Sequence, residues 1–507
     1  AMTDYARSWC GVLMAAACFP ACAFGLEYWT YSYQGIEVTA DRTERAKTIA
    51  HNLHRLDLAI TRVLDVSQVS AWRTPTVVYS VPTATFSRLR GKKDDTTSLF
   101  LSTPFENLIV IDAGEDRSDS SLFNPYFGYT GSVLVSAYTF RYPRWFIYGL
   151  SELFAASKMN GDTVTIGSVN AQRGQTLVQS RNPIPMRVLM AIQEGDPQLK
   201  DADFKNLYEA EAWLLVHLVV LEGKYRASFF HYFALRDQGE DEAKAFAASF
   251  NVTYEDLDKM LHDTLRTGKV ETIKVSVADE KDAAEPARLT AAQAAGRLAQ
   301  LASQIDPQID DAEKMANEAV SIDPKNEDAL YALARAQMRR ADYAASFQAA
   351  ERLCSLEALT QKSDSRCGIL FYRFAEGARA NKASLGADQA NLLERSQQYF
   401  DKAITLDPND FVAWDGMAKA LTAIGNVQYA QAFLPRAAQA LSKQVRNSDL
   451  SRSLANLCGA TGDLRAALNY AVMWQASALS PESRDAASEY VSRLRASLAS
   501  SDLKRAP

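Results

Sequence analysis

The hydrophobic pattern of the chain changes character once. Up to about residue 268, strand-type and helix-type spacings alternate; from Thr290 onward nearly every stretch repeats at helical spacing. In the first part EYWTYSYQGIEVTA (27–40) is β-rich and alternating, and Arg42 to Leu64 carries apolar positions at helical spacing. PTVVYSVP (75–82) and NLIVIDA (107–113) are short apolar runs of strand type, and the Gly-punctuated DTVTIGSVNAQRGQTLVQS (162–180) predicts more β structure. Phe204 to Gly268 is helical again. Strands early and helices late predict an α+β domain over 24–268. A further alternating strand, IKVSV, opens a charged, Ala-rich stretch, so 269–289 reads as strand and linker.

The second part has a period. DAEKMANEAVSIDP and YFDKAITLDP both place a small residue (Ala319, Ala403) and an apolar one (Ile322, Leu406) ahead of a closing Asp-Pro. Proline ends each helix because it has no N–H and restricts the residue before it. After Pro408, Trp414, Met417 and Ala418 share one face, Gly425-Asn426 turns the chain, and Ala430 and Ala437 lie on the returning helix. Leu330, Leu333 and Ala334 lead to Ala341-Asp342-Tyr343, and Leu454 and Ala455 lead to Gly462-Asp463 and Ala467, in the same order. This small/large pattern about a turn resembles the tetratricopeptide family over 290–482. It implies an all-α superhelix of four or five hairpins, with a capping helix and tail at 483–507 and a concave face that holds a protein or peptide partner. The hairpin around 365–400 is irregular and carries the insertion NKASLGADQA. Trp414 and the alanines are core packing, and Cys458 falls at an inward helix position.

Composition narrows the function. Sixty-one acids against 55 bases, mixed along the chain, give a net charge of −6, which lacks the basic face that nucleic acid requires. The apolar run WCGVLMAAACFP (9–20) followed by Ala21-Cys22-Ala23 reads as a secretory signal peptide, residues 1–23, cut after Ala23. The expectation is an exported protein in the periplasm with no transmembrane span after cleavage; a lipoprotein start at Cys18 or Cys22 is the weaker reading. Three cysteines would remain, and Cys354 and Cys367, flanking one helix-to-helix loop, are either a disulfide or two buried thiols.

In the N-terminal part the informative segment is YFGYTGSVLVSAYTFRYPRWFIYGLSELFAAS (126–157). Tyr142-Pro143-Arg144-Trp145-Phe146, then Gly149, Leu150 and Glu152, resemble the turn and second helix of the peptidase-MA-like, or gluzincin, metallopeptidases. Tyr208, Ala212 and Trp213, and the stretch AFAASFNVTYEDLDKML, resemble that family's later helices. In such enzymes HExxH places two histidines on one helix face toward zinc, the adjacent glutamate acts as base, and the next helix supplies the third ligand. Carried onto this chain, the motif lands on Phe127 to Gly131. Phe127 and Gly131 stand at the histidine positions, Gly128 at the base and Tyr148 at the third ligand. Only Glu152 is retained, at a position that supports a ligand. The resemblance therefore implies a pseudopeptidase: no catalytic residue, no metal and no cofactor.

Other candidates are weaker. His51 and His54, three apart on a helix, could share a metal but more often form part of a helix face, and neither they nor His217, His231 and His262 form HxxxH. His217, in an apolar helix, reads as a satisfied core histidine. Asp112, Glu115, Asp116 and Asp119 match no calcium-loop spacing. Ser151 sits mid-helix rather than on a nucleophile elbow, and no P-loop or GxGxxG occurs. The resulting expectation is a non-catalytic exported scaffold or assembly protein, a member of an envelope complex, that binds a protein or peptide through both halves. The alternative is a zinc-dependent peptidase whose active site is misassigned here or unusual.

Overall fold

The computed structural model describes residues 27–64, 74–90, 97–114, 122–137, 142–180, 182–193, 195–278, 284–305, 309–379, 388–444, 446–478 and 480–503. The signal-peptide segment, Glu115, Asp116 and Asp119, and most of the insertion at 381–390 lie outside these residues. β1 (Trp29–Tyr33) and β2 (Ile36–Ala40) form a hairpin turned by Gln34 and Gly35, both at positive φ (49° and 77°). A two-residue turn of that hand matches the twist of paired strands. Helix α1 (Thr43–Val63), β3 (Thr76–Val81), α2 (Thr83–Arg90), β4 (Ser98–Ser102) and β5 (Asn107–Asp112) follow. Then come α3 (Phe123–Ala137), α4 (Arg144–Ala155), β6 (Lys158–Asn160), β7 (Thr163–Ile166), α5 (Ala171–Gln179), α6 (Met186–Ala191) and α7 (Ala202–Val216), the last extended by a π turn at His217–Leu221. Helices α8 (Arg226–Asp237), α9 (Glu242–Ser249) and α10 (Tyr254–Thr267) complete this part, with Gly268 taking the left-handed position that ends α10.

The stretch 162–180 departs from its β expectation. Only Thr163–Ile166 is strand, and α5 forms because Asn170 accepts the N–H groups of Gln172 and Arg173, capping a helix start. Within 269–289, β8 (Ile273–Ser276) pairs with β7 and β9 (Ala287–Arg288) pairs with β1. This segment thus stitches both sheets to the array that follows.

The main sheet runs β4-β5-β3-β2-β1-β9, with β2, β3 and β5 parallel. Its two faces go to different places. Tyr31, Tyr33, Val38, Val78, Ile109 and Ile111 point into the core shared with α1, α3 and α4. Val77, Tyr79, Val81, Leu108 and Val110 point into a second core made with the start of the helical array. Strands covered on both faces read as continuous apolar runs, which is why 75–82 and 107–113 show no alternation.

The array consists of α11 (Ala291–Gln304), α12 (Ile309–Ile322), α13 (Glu327–Arg339), α14 (Tyr343–Cys354), α15 (Gln361–Arg379), α16 (Gln389–Leu406), α17 (Phe411–Ile424), α18 (Val427–Lys443), α19 (Ser448–Ala460) and α20 (Leu464–Ser477), closed by α21 (Pro481–Leu503). These are five hairpins and a capping helix. First helices stack on first helices, α11 on α13 and α17 on α19. Asn326, Asp342, Asp410, Asn426, Asn447 and Asp463 each cap a helix through the side chain. Leu330, Leu454, Trp414, Met417, Ala430 and Ala437 are buried, as their spacing implies. Phe400 of α16 is fully buried, and its ring occupies the space that a Cβ at Gly368 or Gly416 would need, so both glycines are fixed by close helix approach. Cys354 and Cys367 are joined by a disulfide with Cα atoms 5.9 Å apart, and Cys458 is a buried thiol pushed up to about 12 by burial. No helix among the described residues is long and apolar enough to cross a membrane.

Candidate functional site

Helices α3 and α4 pack against each other and carry the five positions that the metallopeptidase resemblance singles out. The structure brings Phe127 and Tyr148 together, edge to face, with ring centroids 5.8 Å apart. The Arg144 guanidinium lies 3.8 Å above the Tyr148 ring. A Cβ at Gly128 would come within 2.5 Å of the Phe100 ring on β4, so the position of the family's base has no room for a glutamate. Gly131 faces Ser151, whose Oγ would lie 3.5 Å from an added Cβ. Gly149 lets α4 cross α7 at backbone contact with Ala212.

Glu152, one turn beyond Tyr148, is buried and meets a cation that the sequence reading missed. Arg173 Nη2 of α5 donates to Glu152 Oε1 and to Glu209 Oε2, each at 2.5 Å, and its Nη1 reaches Asn206 at 3.5 Å. Burial raises the Glu152 pKa, with Arg173 opposing. Burial pulls Arg173 down, but its two carboxylate partners outweigh this and hold it above the usual guanidinium range. Nearby, Glu211 accepts the Ile184 N–H at 3.1 Å on both oxygens. Burial pushes this carboxyl up to about 7, with the Ile184 N–H opposing and Asp258 adding. The one signal for these residues was two glutamates in the otherwise apolar NLYEAEAWLLV; Arg173 was hidden in a segment expected to be strand.

This donor set does not fit zinc. Phe127, Gly128 and Gly131 offer no side-chain lone pair, the Tyr148 ring is covered by Arg144, and Glu152 is bonded to a guanidinium. Among the described residues no group of three or more His, Cys, Asp or Glu is placed to hold a metal. His51 accepts or donates to the Tyr31 hydroxyl at 3.0 Å and lies against Tyr33, and His54 meets the edge of Tyr33. His217 is buried, and its Nε2 donates to the Glu271 carbonyl at 2.6 Å. Asp112 accepts from Thr83 Oγ1 (2.7 Å) and from the Gly114 N–H (2.9 Å). Ser151 is buried mid-helix on α4.

The second candidate is on the array. Its first hairpins are taken up by the chain itself. Arg297 of α11 donates to Glu37 (2.6 Å), Thr39 (3.1 Å) and Thr30 (3.4 Å) on the sheet, Arg88 of α2 reaches Asp311 at 3.4 Å, and Lys362 at the start of α15 pairs with Glu106. Beyond that contact, α15, α17 and α19 line an open groove of about 620 Å³. Tyr372, Arg373 and Glu376 on α15, Asp415 and Lys419 on α17, and Arg452 and Asn456 on α19 face it at helical spacing. Asp415 is held by Lys419 (2.6 Å) and by the Ser453 hydroxyl (2.6 Å). Arg373 and Arg452 form ion pairs within their own helices, with Glu376 and Asp449, and the Arg452 guanidinium lies 6.0 Å from the Trp474 ring of α20.

No family model matches the chain, and no curated protein matches it. Solved structures similar to it include a thermophilic tetratricopeptide-repeat protein from Thermus thermophilus, at 19% identity and TM-score 0.31, covering 39% of this chain and 98% of that one. Another is PilW, a widely conserved type IV pilus biogenesis factor, at 17% identity and TM-score 0.31, covering 43% of this chain and 96% of that one.

Proposed function

We propose that this protein is a non-catalytic exported scaffold whose groove along α15, α17 and α19 holds an extended segment of a protein partner, with a pseudopeptidase domain as its rigid base. The groove carries the reading: it is the stretch of the inner helix surface left open once the sheet has covered the first hairpins. It is walled by exposed, locally paired charges around Tyr372, a mixture suited to a backbone with alternating polar side chains. The Cys354–Cys367 bridge supports a periplasmic setting, because disulfides persist where thiols are not kept reduced. Loss of every ligand at Phe127, Gly131 and Tyr148 beside a retained scaffold supports a degenerate peptidase rather than an active one.

The test is affinity capture from source-cell envelope extract with the full chain, read by mass spectrometry. Specific partners recovered by the native protein should be lost from the double variant Arg373→Ala, Arg452→Ala while its melting temperature holds. Equal capture by both proteins sinks the reading.

A further inference from the structure

The two outer walls of the groove are each tied to the N-terminal domain at the same end. Lys362, the second residue of α15, pairs with Glu106 in the turn between β4 and β5. Arg446, two residues before α19 begins, pairs with Asp237, the last residue of α8, and also donates to the Ala476 carbonyl of α20 at 3.4 Å. The middle helix, α17, is fastened to α15 rather than to the domain: its capping residue Asp410 accepts from Gln361 and Ser365.

Both anchor points stand on one core. Glu106 is buried in a turn closed by Thr103, whose N–H and hydroxyl both donate to the Glu106 carbonyl (3.0 and 2.8 Å), and β5 leads from it to Ile109 and Ile111. Asp237 ends the helix that buries Phe229, Tyr232 and Phe233 in that same core. Close-packed cores resist deformation, so the separation of Glu106 and Asp237 is fixed.

The two ends of the array are joined to this domain by different forces. At the front, Val77, Tyr79, Val81, Leu108 and Val110 share a continuous apolar core with α11, α12 and α13. At the far end, the cores of α17 to α21 contain, among the described residues, nothing from before Ile369. There the contact is polar, with the Arg446 and Asp237 side chains 12% and 23% exposed. A stack of hairpins in which each unit touches its neighbours changes curvature by small rotations at every interface. Its far end is therefore the part that an ion pair can hold or release.

We infer that the N-terminal domain is a gauge for the groove: it holds α15 at Glu106 and α19 at Asp237, and release of Arg446 from Asp237 lets the array relax and widens the groove. The movement is independent of the groove reading; its consequence for a bound partner rests on that reading.

Hydrogen exchange and small-angle X-ray scattering of the full chain test it without any partner. Arg446→Ala and Asp237→Asn should each speed exchange about tenfold in the last turn of α8 and in α19, as expected for losing a charge-assisted hydrogen bond. Each should lengthen the maximum dimension, and the double variant should go no further than either single one. Exchange in α13, which the apolar core holds, should not change, and Arg465→Ala, exposed on α20, should move neither readout. Unchanged exchange and scattering in either folded single variant overturns the inference, as does equal acceleration in α13 and α19. If Arg446→Ala moves both readouts while Arg373→Ala, Arg452→Ala leaves partner capture intact, the gauge stands and the groove reading fails. The reverse pattern sinks the gauge and keeps the groove.

Discussion

The Glu152 cluster and the groove on α15, α17 and α19 are built from the same materials, arginine, carboxylate and aromatic rings, yet they differ in access to water. At the first, Glu152 is 2% exposed and Arg173 closes it against Glu209. At the second, Arg373 and Arg452 side chains are 61% and 39% exposed, and their ion pairs among the described residues are with neighbours on their own helices. A buried set bonded through Arg173 ties α5 to α4 and α7, leaving Glu152 Oε2 as a buried acceptor without a hydrogen bond among the described residues. An exposed set contributes little to stability and keeps its hydrogen-bonding capacity for a partner. The Glu152 position is therefore a structural lock, and the open surface lies elsewhere.

The sharpest way to break this contrast is at Arg173. Arg173→Met leaves Glu152 and Glu209 buried without their cation, and should lower stability by about 3–5 kcal/mol in urea unfolding. Partner capture by the folded fraction should be unaffected; loss of capture without loss of stability would make the cluster a binding site after all. The second test is pH. The folded state holds the Glu211 proton more tightly than the unfolded chain does, so its contribution is full below the unfolded value of 4.5 and is lost as pH rises to about 7. Stability should fall by on the order of 3 kcal/mol across that window, and Glu211→Gln should flatten the slope.

Arg297→Ala probes why the front of the array is closed. It removes the hydrogen bonds to Glu37, Thr39 and Thr30 and should cost about 1.5–3 kcal/mol, with hydrogen exchange rising in α11 before α19. The smallest stability effect belongs to the groove. Arg373→Ala with Arg452→Ala should change unfolding free energy by no more than about 0.5 kcal/mol while abolishing capture. A large destabilisation there would erase the contrast between lock and surface.

Legibility followed the range of the interactions. The hairpins read out from residues within one helix turn of each other. Asp-Pro stops, Asn and Asp caps and the small residues at Ala403, Ala430 and Ala437 act locally, and Trp414 and Met417 are buried where their spacing put them. Helix α1 was legible for the same reason. Helix α5 was not, because its Val and Thr content suggested strand while the Asn170 cap and its packing against α7 favoured helix. Losing α5 meant losing Arg173, and with it the partner of Glu152.

What the sequence determined by itself is therefore the local grammar: strand runs, hairpin period, caps, and the absence of lone-pair donors at Phe127, Gly128 and Gly131. The tertiary structure decided which surfaces are spent and which remain. It laid the second sheet face on the array and matched Arg297 to Glu37, Arg173 to Glu152 and Arg446 to Asp237. Those pairings join residues tens to hundreds of positions apart. Their energies depend on burial and on distances of a few ångströms, quantities that no local spacing rule encodes.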